Sequence, residues 1–275
     1  MELHLNNICS LKQLISLKTD IFSNARVKIV RHKDNRSEYR EIIKDREKLL
    51  QYQKEQAKDV FAKTDFLISF IGQENKKALF LGVFKINGVE KLENSFLYDI
   101  EEIYVLREFI GRVVIDWRLG TIAWAQDYHS NQKEVIEILP KGYLGDFPGL
   151  TNFVLEFEEL RKLIENPDAN KDWKNHLSSI NGIYLILDKS TGNQYIGSAN
   201  GKGGIWQRWT EYVKNKTGGN KHLITLCINE NHYHKNFQFT VLQSLPSNIT
   251  QKEIVKIENL YKKKFGTKIY GLNGN

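Results

Sequence analysis

The chain has only two cysteines, four prolines and one methionine in 275 residues. Cys9 and Cys227 lie far apart, each beside apolar residues, so neither a disulfide framework nor a paired-thiolate metal site is expected; both read as free thiols of a reducing compartment. No run approaches the roughly 20 apolar residues of a membrane-spanning helix, and no membrane partner is expected. The opening "MELHLNNICSLKQLISLKTD" lacks the basic start, apolar stretch and small-residue cleavage site of a secretion signal. The expectation is a cytoplasmic protein of a bacterium or archaeon. Internal repeats, low-complexity segments, helix-turn-helix signatures and RNA-binding motifs are also missing. His222, His232 and His234 have no cysteine or acidic residue at ligand spacing, so they read as surface histidines rather than as a zinc site.

What is present is the composition of a soluble globular protein, 41% hydrophobic and 27% charged, with length enough for two domains. The net charge of +7 is unevenly held. From residue 178 onward there are 13 Lys+Arg against 5 Asp+Glu, whereas the first 177 residues hold 27 against 28. A basic C-terminal third attracts polyanions, nucleic acid first.

The fold class expected is α+β. Residues 1–60 look helical, with Ile42, Ile43, Leu49 and Leu50 punctuating Glu, Lys and Arg as on an amphipathic helix. From 66 to 139, "FLISFIG", "KALFLGVFKI", "RVVIDWRLG" and "KEVIEIL" have strand texture between Gly and Asn turns, enough for a curved sheet or small barrel. A helix over 151–165 should stop before Pro167, which removes an amide donor and restricts its predecessor. The boundary is placed between 165 and 178. Beyond it come a hairpin, a helix near 203–216, strands near 222–228 and 237–243, and a helix over 251–265. Thr250 and Glu253 start that last helix with a capping box, and Gly266 ends it.

The hairpin "NGIYLILDKSTGNQYIGSANGKGGIWQRW", residues 181–209, is the informative stretch. A turn at 189–192 sets Tyr184 opposite Gly197 and Ile186 opposite Tyr195 on one face. Glycine in a strand costs stability and marks the close approach of something else. Arg208 and Tyr212 share a helix face one turn apart. Arg208 can fork onto a scissile phosphate and offset the charge that develops there. Glu258 follows Ile254 and Ile257 toward the apolar side of its helix, where a carboxylate is costly unless paired or bound to metal. Both alternatives, a metal and a lysine partner, stay open.

The pair Gly182-Ile183-Tyr184 and Tyr195-Ile196-Gly197, with Arg208, Tyr212, Glu258 and Asn273 downstream, resembles the GIY-YIG nuclease superfamily over residues 178–275. The resemblance implies a small mixed or antiparallel sheet flanked by helices and metal-dependent phosphodiester hydrolysis, with Mg²⁺ or Mn²⁺ on Glu258. Tyr184 would help activate water, although a tyrosine near its ordinary pKa of about 10 is a poor base and needs Arg208 and the metal to lower it. Tyr195 and Tyr212 would position water or phosphate, and Asn273 would orient the hairpin. Lys202 before the helix, Lys214 and Lys216 at its end and Lys221 beyond it are candidate phosphate contacts.

Residues 1–165 would then supply target recognition. The stretch 26–48 holds nine Lys+Arg against five Asp+Glu, with Arg31 and Arg36 as candidate DNA contacts; a solvated helical face is the plainer account. Residues 66–140 share the texture of small PUA-like or EVE-like barrels, in which Trp117 or Trp124 would stack on an extruded base; packed core tryptophans are the plainer account here too. The function expected is a restriction-type endonuclease of double-stranded DNA, sequence-specific or modification-dependent, with a homodimer or two binding events for a double-strand break. The alternatives are a homing or repair nuclease and a non-catalytic nucleic-acid-binding protein.

Overall fold

The structure, a computed structural model, describes residues 8–33, 46–118 and 123–274. The chain divides into two compact units, Met1–Pro140 and Lys141–Asn275.

The first unit is built on a nine-stranded sheet. Its elements are β1 (Cys9–Ser10), α1 (Leu11–Ser16), β2 (Val27–His32), α2 (Arg46–Lys54), β3 (Glu55–Gln56), β4 (Phe66–Gly72), β5 (Lys77–Lys91), β6 (Phe96–Ile103), β7 (Val113–Asp116), β8 (Ala125–Asp127) and β9 (Glu134–Ile138). The strand path runs β1-β9-β7-β5-β4-β2-β8, with β6 paired to β5 and β3. Among the described residues only β2 and β4 run parallel. Both faces are covered. Ile29, Ile68 and Phe70 join one core with Leu11 and Ile115, while Val30 and Leu67 join another with Leu49, Phe84 and Tyr98. Burial on both faces is why "FLISFIG" reads as a continuous apolar run rather than an alternating one.

Two expectations change here. Among the described residues the path from β1 to β8 does not close, so the sheet is open and not a barrel. The basic stretch beginning at residue 26 opens with a strand, not a helix, because its apolar positions Val27, Ile29 and Val30 are claimed by the sheet. Arg36, Ile42 and Ile43 lie outside the described residues.

The second unit comprises β10 (Leu155–Glu156), α3 (Phe157–Glu165), α4 (Lys171–Ser178), β11 (Asn181–Asp188), β12 (Gln194–Ala199), α5 (Gly204–Asn215), α6 (Lys221–Asn229), β13 (Phe237–Leu245), α7 (Gln251–Lys264) and α8 (Thr267–Tyr270). Its antiparallel sheet has the order β10-β13-β11-β12, which leaves β12 at an edge. One face carries Tyr184, Ile186 and Phe239 against Leu160 and Leu163 of α3, Leu177 of α4 and Trp209 and Tyr212 of α5. The other carries Ile183, Ile196 and Leu245 against Ile254 of α7. The result is an α+β unit with helices on both sides of a small sheet.

The unit begins earlier than the boundary expected between 165 and 178. α3 stops before Pro167 as expected, but β10 pairs with β13 and the apolar stripe of α3 is buried on this sheet. The connector between them also holds a helix, α4. The strand expected over 222–228 is the helix α6, started by the Asn220 side chain accepting from the Leu223 amide at 3.0 Å.

Candidate active site

The hairpin has the register expected, Tyr184 opposite Gly197 and Ile186 opposite Tyr195. What approaches Gly197 is Tyr184 itself. A Cβ added at Gly197 would stand 2.4 Å from the tyrosine hydroxyl and ring, so the glycine lets the ring cross the neighbouring strand. Gly197 so marks a close approach, and the space across from Tyr184 is taken by the Tyr184 ring itself. Gly204, at the start of α5, is constrained twice: its φ is +49°, and a Cβ there would meet the Ile180 carbonyl oxygen at 2.0 Å.

α5 sends Arg208 and Tyr212 toward the tyrosine. Arg208 Nε donates to the Tyr184 hydroxyl at 3.1 Å and Nη2 to the Tyr212 hydroxyl at 3.4 Å, while the two hydroxyls share a hydrogen bond of 3.1 Å. Nη1 pairs with Glu211. The guanidinium also lies 4.9 Å from the centre of the Tyr212 ring. Tyr184 and Tyr212 are both 0% exposed. Burial pushes the Tyr184 hydroxyl well above its ordinary value, and Tyr212 likewise, against the opposing pull of Arg208. Arg208 by itself therefore does not bring the Tyr184 hydroxyl down toward the range of a general base, because burial outweighs its pull. The two tyrosines form a polar seat, closed to solvent, that holds the guanidinium.

Above that seat lies a polar cavity of about 410 Å³, whose wall includes Tyr195, Ser198, Asn200, Gln207, Arg208 and Glu258. It straddles the edge of β12. Arg208 reaches it from α5 on one face of the sheet and Glu258 from α7 on the other. Glu258 is mostly buried, and each of its oxygens has a partner: Lys262, one helical turn on, pairs with Oε1, and Ser198 Oγ donates to Oε2. The lysine partner left open from sequence is present, and it offsets the burial of the carboxylate. Among the described residues no group of three or more His, Cys, Asp or Glu could hold an ion together. The oxygen donors in the cavity wall are the carboxylates of Glu258 and Glu211, the second of them paired with Arg208, the hydroxyls of Tyr195 and Ser198, and side-chain amides. Such hard oxygens, with water completing the shell, suit Mg²⁺ or Mn²⁺ and not zinc, so Glu258 with Ser198 beside it fits a divalent ion.

Asn273 is buried and uses its whole amide on the hairpin. Oδ1 accepts from the Ile196 amide at 2.9 Å and Nδ2 donates to the Ile196 carbonyl at 2.7 Å. Leu272 N adds a bond of 2.8 Å to the Gln194 carbonyl. Residues 272–273 so cover part of the edge of β12 and leave the stretch near Ser198 facing the cavity. Asn273 thus ties the C-terminal residues to β12 at Ile196.

Lys202, Lys214, Lys216 and Lys221 are exposed around the two ends of α5 and the start of α6. They form a basic rim outside the cavity wall. Trp117 is fully buried in the core of the first unit, which removes it as a base-stacking surface. Trp124 is half-buried, its ring centre 5.8 Å from that of Phe61 and 6.3 Å from that of His32. Arg31 stands in β2 with only its tip emerging. Ser198, Gln207, Asn200 and Lys262 escaped the reading from sequence. The i, i+4 spacing of Glu258 and Lys262 was the one available signal.

The family whose model matches is the GIY-YIG catalytic domain, over residues 180–271. The chain is 30% identical over 115 residues to a probable intron-encoded endonuclease bI1 of Neurospora crassa, across 41% of this chain and 24% of that protein. It therefore spans about a quarter of that relative's length. Two solved structures of the catalytic domain of the intron homing endonuclease I-TevI, one of them a mutant, share 24% and 23% identity. They cover 34% of this chain and 92% and 98% of their own, with TM-scores of 0.29 and 0.28. The second unit of this chain thus carries a GIY-YIG catalytic domain, residues 180–271.

Proposed function

We propose that the chain is a DNA endonuclease that hydrolyses a phosphodiester bond in the cavity beside β12 with the help of one divalent cation, Mg²⁺ or Mn²⁺. The observation that carries this reading is the placing of Arg208 and Glu258, from helices on opposite faces of the sheet, in the wall of one polar cavity. Arg208 is held from below by Tyr184 and Tyr212, which leaves N–H groups of its fork to donate to a phosphate oxygen as charge builds there. A divalent ion on Glu258 would supply Lewis-acid stabilisation of the leaving oxygen. Tyr195 supplies a hydroxyl from the cavity wall to orient the attacking water. Tyr184 and Tyr212 serve Arg208 and not the water.

The intron-encoded relative favours a homing-type role over the restriction-type role expected from sequence. The burial of Trp117 gives modified-base reading no support. The first unit is assigned to target choice and the basic rim to the DNA backbone. Because one active site cuts one strand, a double-strand break needs two copies or two binding events.

The test is cleavage of plasmid and genomic DNA by the full chain with Mg²⁺, with Mn²⁺ and with EDTA. Metal-dependent cutting lost in Glu258→Ala is the expected result, and cutting that survives this substitution would reject the site. Sparse cutting at a long sequence fits the homing role, whereas frequent cutting at a short one returns the reading to restriction type.

A further inference from the structure

The first unit gathers a second set of charged side chains, around the Trp117 ring. Arg31 of β2 is 6% exposed, and its guanidinium lies 5.8 Å from the ring centre. Lys133, just before β9, is 4% exposed, with Nζ 4.5 Å from the same centre and 2.9 Å from the Trp117 carbonyl to which it donates. No carboxylate among the described residues pairs with either cation. The acids close by are engaged elsewhere: Glu134 with Arg118 at 3.3 Å, and Asp116 with the Arg118 amide at 2.8 Å.

The groups left without partners are all donors. Arg31 Nε and Trp117 Nε1 are buried with none, and two of the three Lys133 ammonium hydrogens are unused. The place of the guanidinium is built into the backbone, because a Cβ added at Gly72 would come within 2.9 Å of Arg31 Nε. Burial, with the charges of Arg118 and Arg31, lowers the Lys133 pKa to about 8 against the pull of Asp116. Two nearly buried cations with no acid are costly unless an anion completes them. A guanidinium fork and an ammonium together match a tetrahedral oxyanion.

We propose that Arg31 and Lys133 form a phosphate-binding site of the first unit that takes a backbone phosphate of bound nucleic acid. A phosphodiester and a free phosphate present the same oxygens, so the experiment separates the two sources. The full chain carrying Glu258→Gln is titrated onto a labelled DNA duplex in EDTA over a range of KCl, so binding is read without cleavage. A chain with no nuclease activity would leave this readout intact.

Lys133→Met and Arg31→Met are each expected to weaken binding roughly tenfold near about 0.1 M salt and to lower the salt slope by about 1. A merely structural role would not change the slope. If Arg31→Met fails to fold by circular dichroism, Lys133→Met carries the test. In parallel, melting is followed with millimolar inorganic phosphate. A rise in Tm that Lys133→Met abolishes, with duplex affinity and slope unchanged, would overturn the backbone assignment in favour of a free anion. A folded Lys133→Met with unaltered duplex affinity, slope and phosphate response would overturn the site itself.

Discussion

Arg208 illustrates how little of a catalytic side chain's role lies in its charge alone. Its Nε and Nη2 are committed to the two buried tyrosine hydroxyls, so the orientation of the remaining N–H groups is set before substrate arrives. Arg208→Lys keeps the charge and loses the fork; turnover is expected to fall by about a hundredfold or more, with Tm nearly unchanged. Tyr184→Phe removes one hydroxyl from the seat, and a smaller loss in kcat with little change in KM is expected; steady-state kinetics on a defined duplex read both. In the first unit, His32 is buried with Nε2 2.8 Å from Gln53 Oε1, and burial holds its pKa down at about 4. The unfolded chain takes up this proton near pH 6.5, whereas the folded chain resists it until about pH 4. The stability from neutral His32 is therefore full above pH 6.5 and is lost as pH falls toward 4, by about 3 kcal/mol in all. Urea unfolding at pH 7 and pH 4.5 checks this, and His32→Gln should flatten the difference.

At the scale of elements, the site depends on an edge strand that is only partly covered. Residues 272–273 occupy the outward backbone groups of Gln194 and Ile196, and the cavity takes over near Ser198. Asn273→Ala would leave the buried Ile196 amide and carbonyl unmet, so a loss of about 2 kcal/mol is expected, together with lower activity from a misplaced strand. Chemical denaturation and cleavage assays should show both effects. Gly197→Ala drives a methyl into the Tyr184 ring. Its predicted signature is a lowered Tm with nicking activity lost, because Tyr184 can no longer sit beneath Arg208. If Gly197→Ala cuts normally, the ring crossing has no catalytic consequence.

For the whole molecule, most of the net positive charge lies in the second unit, where residues 141–275 hold 18 Lys+Arg against 12 Asp+Glu, while residues 1–140 hold 22 against 21. Within the second unit the excess sits from residue 178 onward, at +8, and residues 141–177 before it are slightly acidic, with 5 Lys+Arg against 7 Asp+Glu. Association with DNA is expected to weaken steeply with salt for the full chain, and substituting Lys202, Lys214, Lys216 and Lys221 together with Gln should lower the log–log slope. Anisotropy titrations in EDTA measure that slope without cleavage. A slope that this fourfold change leaves alone would remove the rim from the interface.

The sequence by itself determined the nuclease hairpin, its register and the helix caps around it. These are local features: a two-residue period, a turn, a capping box at Thr250 and Glu253, and residues one helical turn apart. It also isolated Tyr184, Tyr195, Arg208, Tyr212, Glu258 and Asn273. Tertiary structure alone decided what they do to one another. Whether Tyr184 meets water or is sealed beneath Arg208 depends on the packing of α5 over β11, and that packing raises its pKa rather than lowering it. The same holds in the first unit. The strand VKIVRH, the open sheet and the burial of Trp117 follow from which apolar face finds a partner far along the chain, and no local pattern carries that information.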